Sequence, residues 1–235
     1  MITTNVISRT FHIRWRNSIG TAFTIDHRGK QYLITARHVV EGMSNNDAIA
    51  INHGQEWKNL DVRLVGTGAG RIDAAVLSCA HYLSPPYPLE ASTDNMLLFQ
   101  QVYFLGFPFG WTWTAGHRIN NNYPVPFAKT GILSASNDDL SLFYIDGHNN
   151  PGFSGGPVVF RPNNSPSHDF KVAGIVSGYH APLNPIVDEE RCPILNEDKE
   201  PFGYTRENTG FVVVVGIRNA IKIIDENPIG FELPD

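Results

Sequence analysis

Cysteine is scarce: Cys79 and Cys192 are the only two in a chain of 235 residues. A framework of several disulfides, the usual support of a secreted chain, is thereby excluded. The expectation is two reduced thiols and a cytoplasmic protein. Nothing near the start reads as an export signal, because Arg9, Arg14 and Arg16 interrupt the first twenty residues and no apolar stretch follows a basic start. Long apolar runs are missing as well. The longest, Phe211 to Ile217, is far short of the roughly 20 residues that a membrane helix needs, so no membrane partner is expected. Charge is low and slightly acidic, with 18 Lys and Arg against 23 Asp and Glu and a net charge of −5. No basic run is available to neutralise phosphates, and a nucleic-acid partner is not expected. With 42% hydrophobic and only 17% charged residues, the chain is apolar enough to bury a core and too weakly charged to stay disordered.

What is abundant is turn formers and short apolar runs. There are 21 glycines, 16 prolines and 14 phenylalanines. Phe11, Ile13 and Trp15 alternate with His12, Arg14 and Arg16, the pattern of a half-buried strand. Further strands are predicted at Thr21–Ile25, Gln31–Thr35, Ala48–Asn52, Leu60–Val65 and Ala74–Ser78. Ser84-Pro85-Pro86-Tyr87-Pro88 then breaks the series, since proline lacks the ladder donor. A second series runs through Val102–Leu105, Thr130–Ala135, Leu140–Ile145, Pro157–Phe160, Lys171–Ser177 and Phe211–Val215. Two sets of about six short strands predict an all-β fold of two six-stranded antiparallel barrels. Ile217, Ala220, Ile221 and Ile224 recur at helical spacing, and Pro228 ends that helix. The expected organisation is a first barrel over residues 1–90, a second over 91–216, and a helix with a tail over 217–235.

Two stretches do not read as strands. Residues 111–127 form a long aromatic loop. Residues 181–209 form a longer one, with acids at Asp188, Glu189, Glu190, Glu197, Asp198, Glu200 and Glu207. Structureless loops beyond about 12–15 residues in a compact domain tend to be functional or disordered.

Three segments carry chemistry. In Asn150-Pro151-Gly152-Phe153-Ser154-Gly155-Gly156-Pro157, one serine is hemmed by three glycines and followed by a strand. A serine hydroxyl attacks only when a base takes its proton, and the oxyanion so formed needs preorganised N–H donors. A tight turn aims the N–H groups of Gly152 and Ser154 into one hole. In Thr35-Ala36-Arg37-His38, a histidine follows an apolar strand and is a candidate base. In Arg71-Ile72-Asp73-Ala74-Ala75, one carboxylate stands at the start of a strand, where a histidine N–H is a good partner. Taken singly, these are also a plain glycine turn, a structural histidine and a capping aspartate.

Taken together, in the order His, Asp, Ser, they resemble the trypsin-like, chymotrypsin-fold serine peptidases. The carrying residues are Thr35-Ala36-x-His38, Asp73-x-Ala75-Val76-Leu77 and Gly152-x-Ser154-Gly155-Gly156-Pro157. Val102-Tyr103-Phe104-Leu105-Gly106-Phe107-Pro108 and Thr209-Gly210-Phe211 are similar to the bacterial, disulfide-poor branch that includes HtrA-type proteases. The resemblance implies a serine endopeptidase with His38 as general base, Asp73 as its orienting acid, Ser154 as nucleophile and Gly152 with Ser154 as the oxyanion hole. It further implies that the strand Val176-Ser177-Gly178-Tyr179 pairs with the substrate backbone, and that His148, Asn149 and Gly210 line the specificity pocket.

This chain departs from the digestive branch at one telling position. Phe153 stands where that branch has an aspartate that pairs with a newly cut N-terminus, so activation by N-terminal cleavage is not expected. The pocket base carries His148 rather than an aspartate. His117, His148, His168 and His180 show no metal-ligand spacing, and neither metal nor cofactor is expected. The expected partners are a protein or peptide substrate and a regulatory protein that restrains the activity. The competing reading from another class is a catalytically silent trypsin-fold protein used for binding.

Overall fold

The computed structural model describes residues 2–85, 87, 89–113, 120–137, 139–163, 165 and 169–233. After a short helix α1 (Thr4–Ile7), the first strands are β1 (Thr10–Trp15), β2 (Ser18–His27), β3 (Lys30–Thr35), β4 (Asp47–His53), β5 (Glu56–Thr67) and β6 (Ala75–Cys79). They pair in the order β3-β2-β1-β4-β5-β6, and β3 pairs with β6 to close a six-stranded barrel. A short strand β7 (Glu90–Ala91) precedes the second set. That set contains β8 (Gln101–Gly106), β9 (Phe127–Ser136), β10 (Leu142–Asp146), β11 (Pro157–Phe160) and β12 (Lys171–Tyr179). A small hairpin, β13 (Leu183–Pro185) and β14 (Tyr204–Arg206), separates β12 from β15 (Phe211–Gly216). The order β11-β8-β9-β10-β15-β12, closed by β11 against β12, makes the second six-stranded barrel. The chain is therefore an all-β double barrel of the chymotrypsin type with a C-terminal helix α2 (Ile217–Glu226).

Apolar residues divide among three cores, which is why alternation alone underestimates burial. Phe11, Ile13, Leu33, Val39, Ile49 and Leu77 fill the first barrel. Val102, Phe104, Leu133, Phe143, Phe153 and Val214 fill the second. The opposite faces of the same strands, including Phe23, Ile34, Leu105, Val159 and Ile175, meet between the barrels. α2 seals that junction with Ile217, Ala220 and Ile224, on one face at i, i+3 and i+7. Burying each of those isoleucines stabilises the fold by about 1.5–3 kcal/mol. Asn227 anchors the end of the helix by donating from Nδ2 to the Val65 carbonyl at 2.8 Å.

Three features differ from the sequence reading. The 181–209 stretch is not wholly irregular, because Leu183–Pro185 pairs with Tyr204–Arg206 in a two-stranded ladder. The tail returns to the first barrel, where β16 (Phe231–Glu232) pairs with the edge of β3. On β1, His12 is not on a solvated face but buried, stacked on Phe107 at 4.7 Å and tilted against Trp57 at 4.8 Å. Phe107, just after β8, and Trp57 of β5 cover the side that alternation alone assigns to solvent.

Candidate active site

β3 ends at Thr35, and Arg37–Val40 forms one 3-10 turn whose Val39 and Val40 are buried in the first barrel. That anchoring leaves the His38 side chain at the surface, 48% exposed, while Asp73 beside it is 16% exposed. Arg37 ties the turn to the loop before Asp73, donating to the carbonyls of Gly68 at 2.6 Å and Gly70 at 3.0 Å. Asp73 then meets His38 through both oxygens. Oδ2 is 2.7 Å from Nδ1, and Oδ1 accepts the His38 backbone N–H at 3.0 Å. Burial pushes the Asp73 carboxyl up, but hydrogen bonds from His38 and Ser177 and the charge of His38 outweigh it and hold the group below its ordinary value. An ionised Asp73 accepts, so Nδ1 carries the proton and Nε2 of the neutral ring is left as the acceptor.

The second barrel brings Ser154 to the same cleft. The turn before β11 is possible only with glycine at three points, Gly152, Gly155 and Gly156, where a Cβ on the last would lie 2.0 Å from the Leu105 carbonyl oxygen. Gly152 has φ +103°, and a Cβ there would lie 2.1 Å from the Phe107 carbonyl oxygen. Gly155 has φ +83°, and a Cβ there would lie 2.1 Å from the Thr21 carbonyl oxygen. The Pro151 carbonyl accepts the Phe109 N–H at 2.7 Å and so faces away from the turn's inner side. The N–H groups of Gly152 and Ser154 donate to no group among the described residues.

Thr21 joins the barrels at this turn, a role its sequence does not signal. Its N–H donates to the Ser154 carbonyl at 2.8 Å and its Oγ1 to the Gly152 carbonyl at 2.7 Å. Ser177, expected only as a strand residue facing substrate, donates its hydroxyl to Asp73 Oδ2 at 2.7 Å. Its carbonyl accepts the Ser154 hydroxyl at 3.3 Å. Ser154, Ser177, Asp73 and His38 thus form one connected set. No hydrogen bond joins Ser154 directly to His38, because the serine hydroxyl is turned toward the Ser177 carbonyl. Substrate-free sites often hold this contact long or misaligned until substrate binds.

The remaining predicted residues lie on β12 and on the two segments that hold residues 148–149 and 210. On β12, Ser177, Gly178 and Tyr179 extend beyond the segment paired with β11, leaving an open strand edge. The His148 side chain is exposed, whereas Asn149 is buried with no partner for Oδ1. Gly210 faces this segment, since its carbonyl accepts the Gly147 N–H at 2.8 Å. Asn208, which sequence reasoning missed, joins the last two segments: its Nδ2 donates to the Asn149 carbonyl at 2.7 Å and its Oδ1 accepts the Gly210 N–H at 3.0 Å. An Asn two residues before a glycine is the available signal for such a turn. Among the described residues no group of three His, Cys, Asp or Glu side chains can hold a metal ion; His117 and His168 lie outside them.

Solved structures share this architecture at low identity. The serine endoprotease from Yersinia pestis is 17% identical with a TM-score of 0.57, covering 94% of this chain and 63% of that one. An inactive form of Rv3671c from M. tuberculosis H37Rv is 18% identical with a TM-score of 0.54, covering 95% and 88%. The HtrA-type protease AlgW with a tripeptide is 19% identical with a TM-score of 0.55, covering 95% and 61%. The chain thus spans under two thirds of the length of the first and third of these proteins. No curated protein sequence matches it. The sequence profile of the trypsin-like peptidase domain matches residues 20–164, more than half of the chain and all three of the segments around His38, Asp73 and Ser154. The chain belongs to the trypsin-like peptidase family.

Proposed function

We propose that the protein cleaves peptide bonds through Ser154, His38 and Asp73 by way of an acyl-enzyme. The observation that carries this reading is the Asp73 carboxylate, which engages His38 Nδ1 while a hydrogen-bonded path through Ser177 leads to the Ser154 hydroxyl. A substrate strand adds to the open edge of Ser177–Tyr179 by main-chain hydrogen bonds. Ser154 Oγ turns from the Ser177 carbonyl to His38 Nε2, loses its proton to that nitrogen and attacks the scissile carbonyl. The Gly152 and Ser154 N–H groups receive the oxyanion. His38, now an imidazolium held by Asp73, returns the proton to the leaving amine. Water repeats the sequence to release the acyl group. His148, Asn149 and Gly210 line the pocket for the substrate side chain.

The reading includes a cytoplasmic setting and a restricted set of substrates, with a regulatory partner protein. Two free thiols, one buried at Cys79 and one exposed at Cys192, support a reducing compartment. The test is proteolysis of fluorescein-labelled casein by the wild type and by Ser154→Ala. Loss of the nucleophile lowers kcat by about 10⁶. Equal activity in the two proteins rejects the assignment, and an inert wild type that still binds casein favours a silent binding protein.

A further inference from the structure

Lys129 lies on β9, directly opposite Phe104 of β8 in the ladder. Directly opposed residues share a face, and Phe104 points into the second barrel, so Lys129 stands on the inward face, where a lysine is unusual. This one folds back over the turn that carries the nucleophile. Its Nζ donates to the His148 carbonyl at 2.6 Å and to Asn150 Oδ1 at 2.5 Å. The same ammonium stands 5.6 Å from the centroid of the Phe153 ring. Phe153 is fully buried and meets Phe104 edge to face at 5.2 Å. No carboxylate of the described residues pairs with Lys129; burial alone acts on it and pushes its pKa down. A partly buried cation is therefore spent wholly on two neutral oxygens and a ring face, all within residues 148–153.

Those residues need an external restraint. They lie outside any strand, and Gly152 at φ +103° has free access to other backbone states. Rotation of the 151–152 peptide would exchange the Gly152 N–H for the Pro151 carbonyl on the inner side of the turn. One restraint on that peptide is the Phe109 N–H on the Pro151 carbonyl. We propose that Lys129 is the second, a positioning residue whose ammonium clamps His148 and Asn150 and rests on Phe153, so that the Gly152 and Ser154 N–H groups face the oxyanion before substrate arrives. Charge-assisted hydrogen bonds from one tetrahedral ammonium to two residues suit this role, because they are about twice as strong as neutral ones.

This proposal rests on the serine-peptidase reading, and the experiment separates the two. An alkyl fluorophosphonate is reacted with wild type, Lys129→Met, Lys129→Gln, Lys129→Arg and Ser154→Ala, and kinact and KI are measured apart, with melting curves as the check on folding. Misdirecting an oxyanion donor costs about 10²-fold, so kinact of Lys129→Met is expected to fall by that order while KI changes by less than about threefold. Lys129→Gln, which keeps a donor without the charge, is expected between the two and decides the question if the Met variant does not fold. Lys129→Arg is expected to recover most of the loss. Wild-type kinact in both the Met and Gln variants overturns the proposal and leaves the peptidase reading standing. A loss confined to KI, or one that Arg does not recover, also overturns it. A folded wild type that does not react at all overturns the peptidase reading and the proposal with it.

Discussion

Asp73 grips His38 at two points: Oδ2 meets the ring Nδ1 at 2.7 Å and Oδ1 accepts the backbone N–H at 3.0 Å. The second contact orients the residue's main chain, the first its ring, so the imidazole has little freedom in either. Asn at position 73 keeps the size but places an amide donor where an acceptor is needed. The ring is then driven to the tautomer with its proton on Nε2. Asp73→Asn is expected to lower kcat by about 10⁴ with the fold retained. Steady-state kinetics with matched melting curves check this; full activity in the Asn variant contradicts the role.

His12 gives a pH dependence separate from catalysis. It is 2% exposed, and neither ring nitrogen has a partner among the described residues. Burial, with Arg14 adding to it, lowers its pKa from 6.5 to about 4. Between those values the unfolded chain binds a proton that the native state does not, so stability is full above pH 6.5 and declines as pH falls toward about 4. The loss is about 2.5 kcal/mol at pH 4.5. His12→Phe is expected to remove most of that loss while keeping the stacking on Phe107. Guanidinium unfolding at pH 7 and 4.5 checks it; an unchanged pH difference in the Phe variant contradicts it. Asp73, whose pKa is lowered, loses its contribution only as pH falls below its ordinary 3.8 and through its folded value.

Gly152 couples backbone strain to chemistry. A Cβ there meets the Phe107 carbonyl oxygen at 2.1 Å in a left-handed conformation. Gly152→Ala is expected to cost about 1–3 kcal/mol if the turn is held, and more if Phe107 must move. Relief of that strain turns the 151–152 peptide, so kcat falls by about 10²-fold or more. Thermal unfolding and kinetics together test this, and a stable, fully active Ala variant contradicts it.

Much of this was legible from one chain because the determinants are local. Phe11, Ile13 and Trp15, or the run Ala74–Ser78, announce strands through neighbours in sequence, and the glycines around Ser154 announce a strained turn. What was hidden depends on residues far apart. Ser177 meets Asp73 across 104 positions, and Lys129 meets Asn150 across 21. Neither residue type nor spacing signals such contacts. Thr21 reads as an ordinary strand threonine, yet it carries the joint between barrels. The β16 pairing is only two residues long, too short for any periodicity. Alternation predicts which face the His12 side chain takes but not that Phe107 and Trp57 cover it.

The two thiols differ in access. Cys79 is buried, and burial pushes its pKa up to about 12, whereas Cys192 is exposed in the 181–209 excursion. A chromogenic thiol reagent at pH 8 is expected to titrate Cys192 alone in the native protein and both residues after denaturation without reductant. Rapid native reaction of Cys79 contradicts the packing of the first barrel, since reactivity follows the thiolate.

The central claim is that Ser154 is an activated nucleophile, and mass mapping of a fluorophosphonate adduct tests it most directly. The native wild type is predicted to take up one phosphonyl group, located by tryptic mapping on Ser154. The adduct is predicted to be absent from Ser154→Ala and from His38→Ala and strongly reduced in Asp73→Asn. A folded wild type that stays unmodified, or an adduct that persists in Ser154→Ala, would contradict the account.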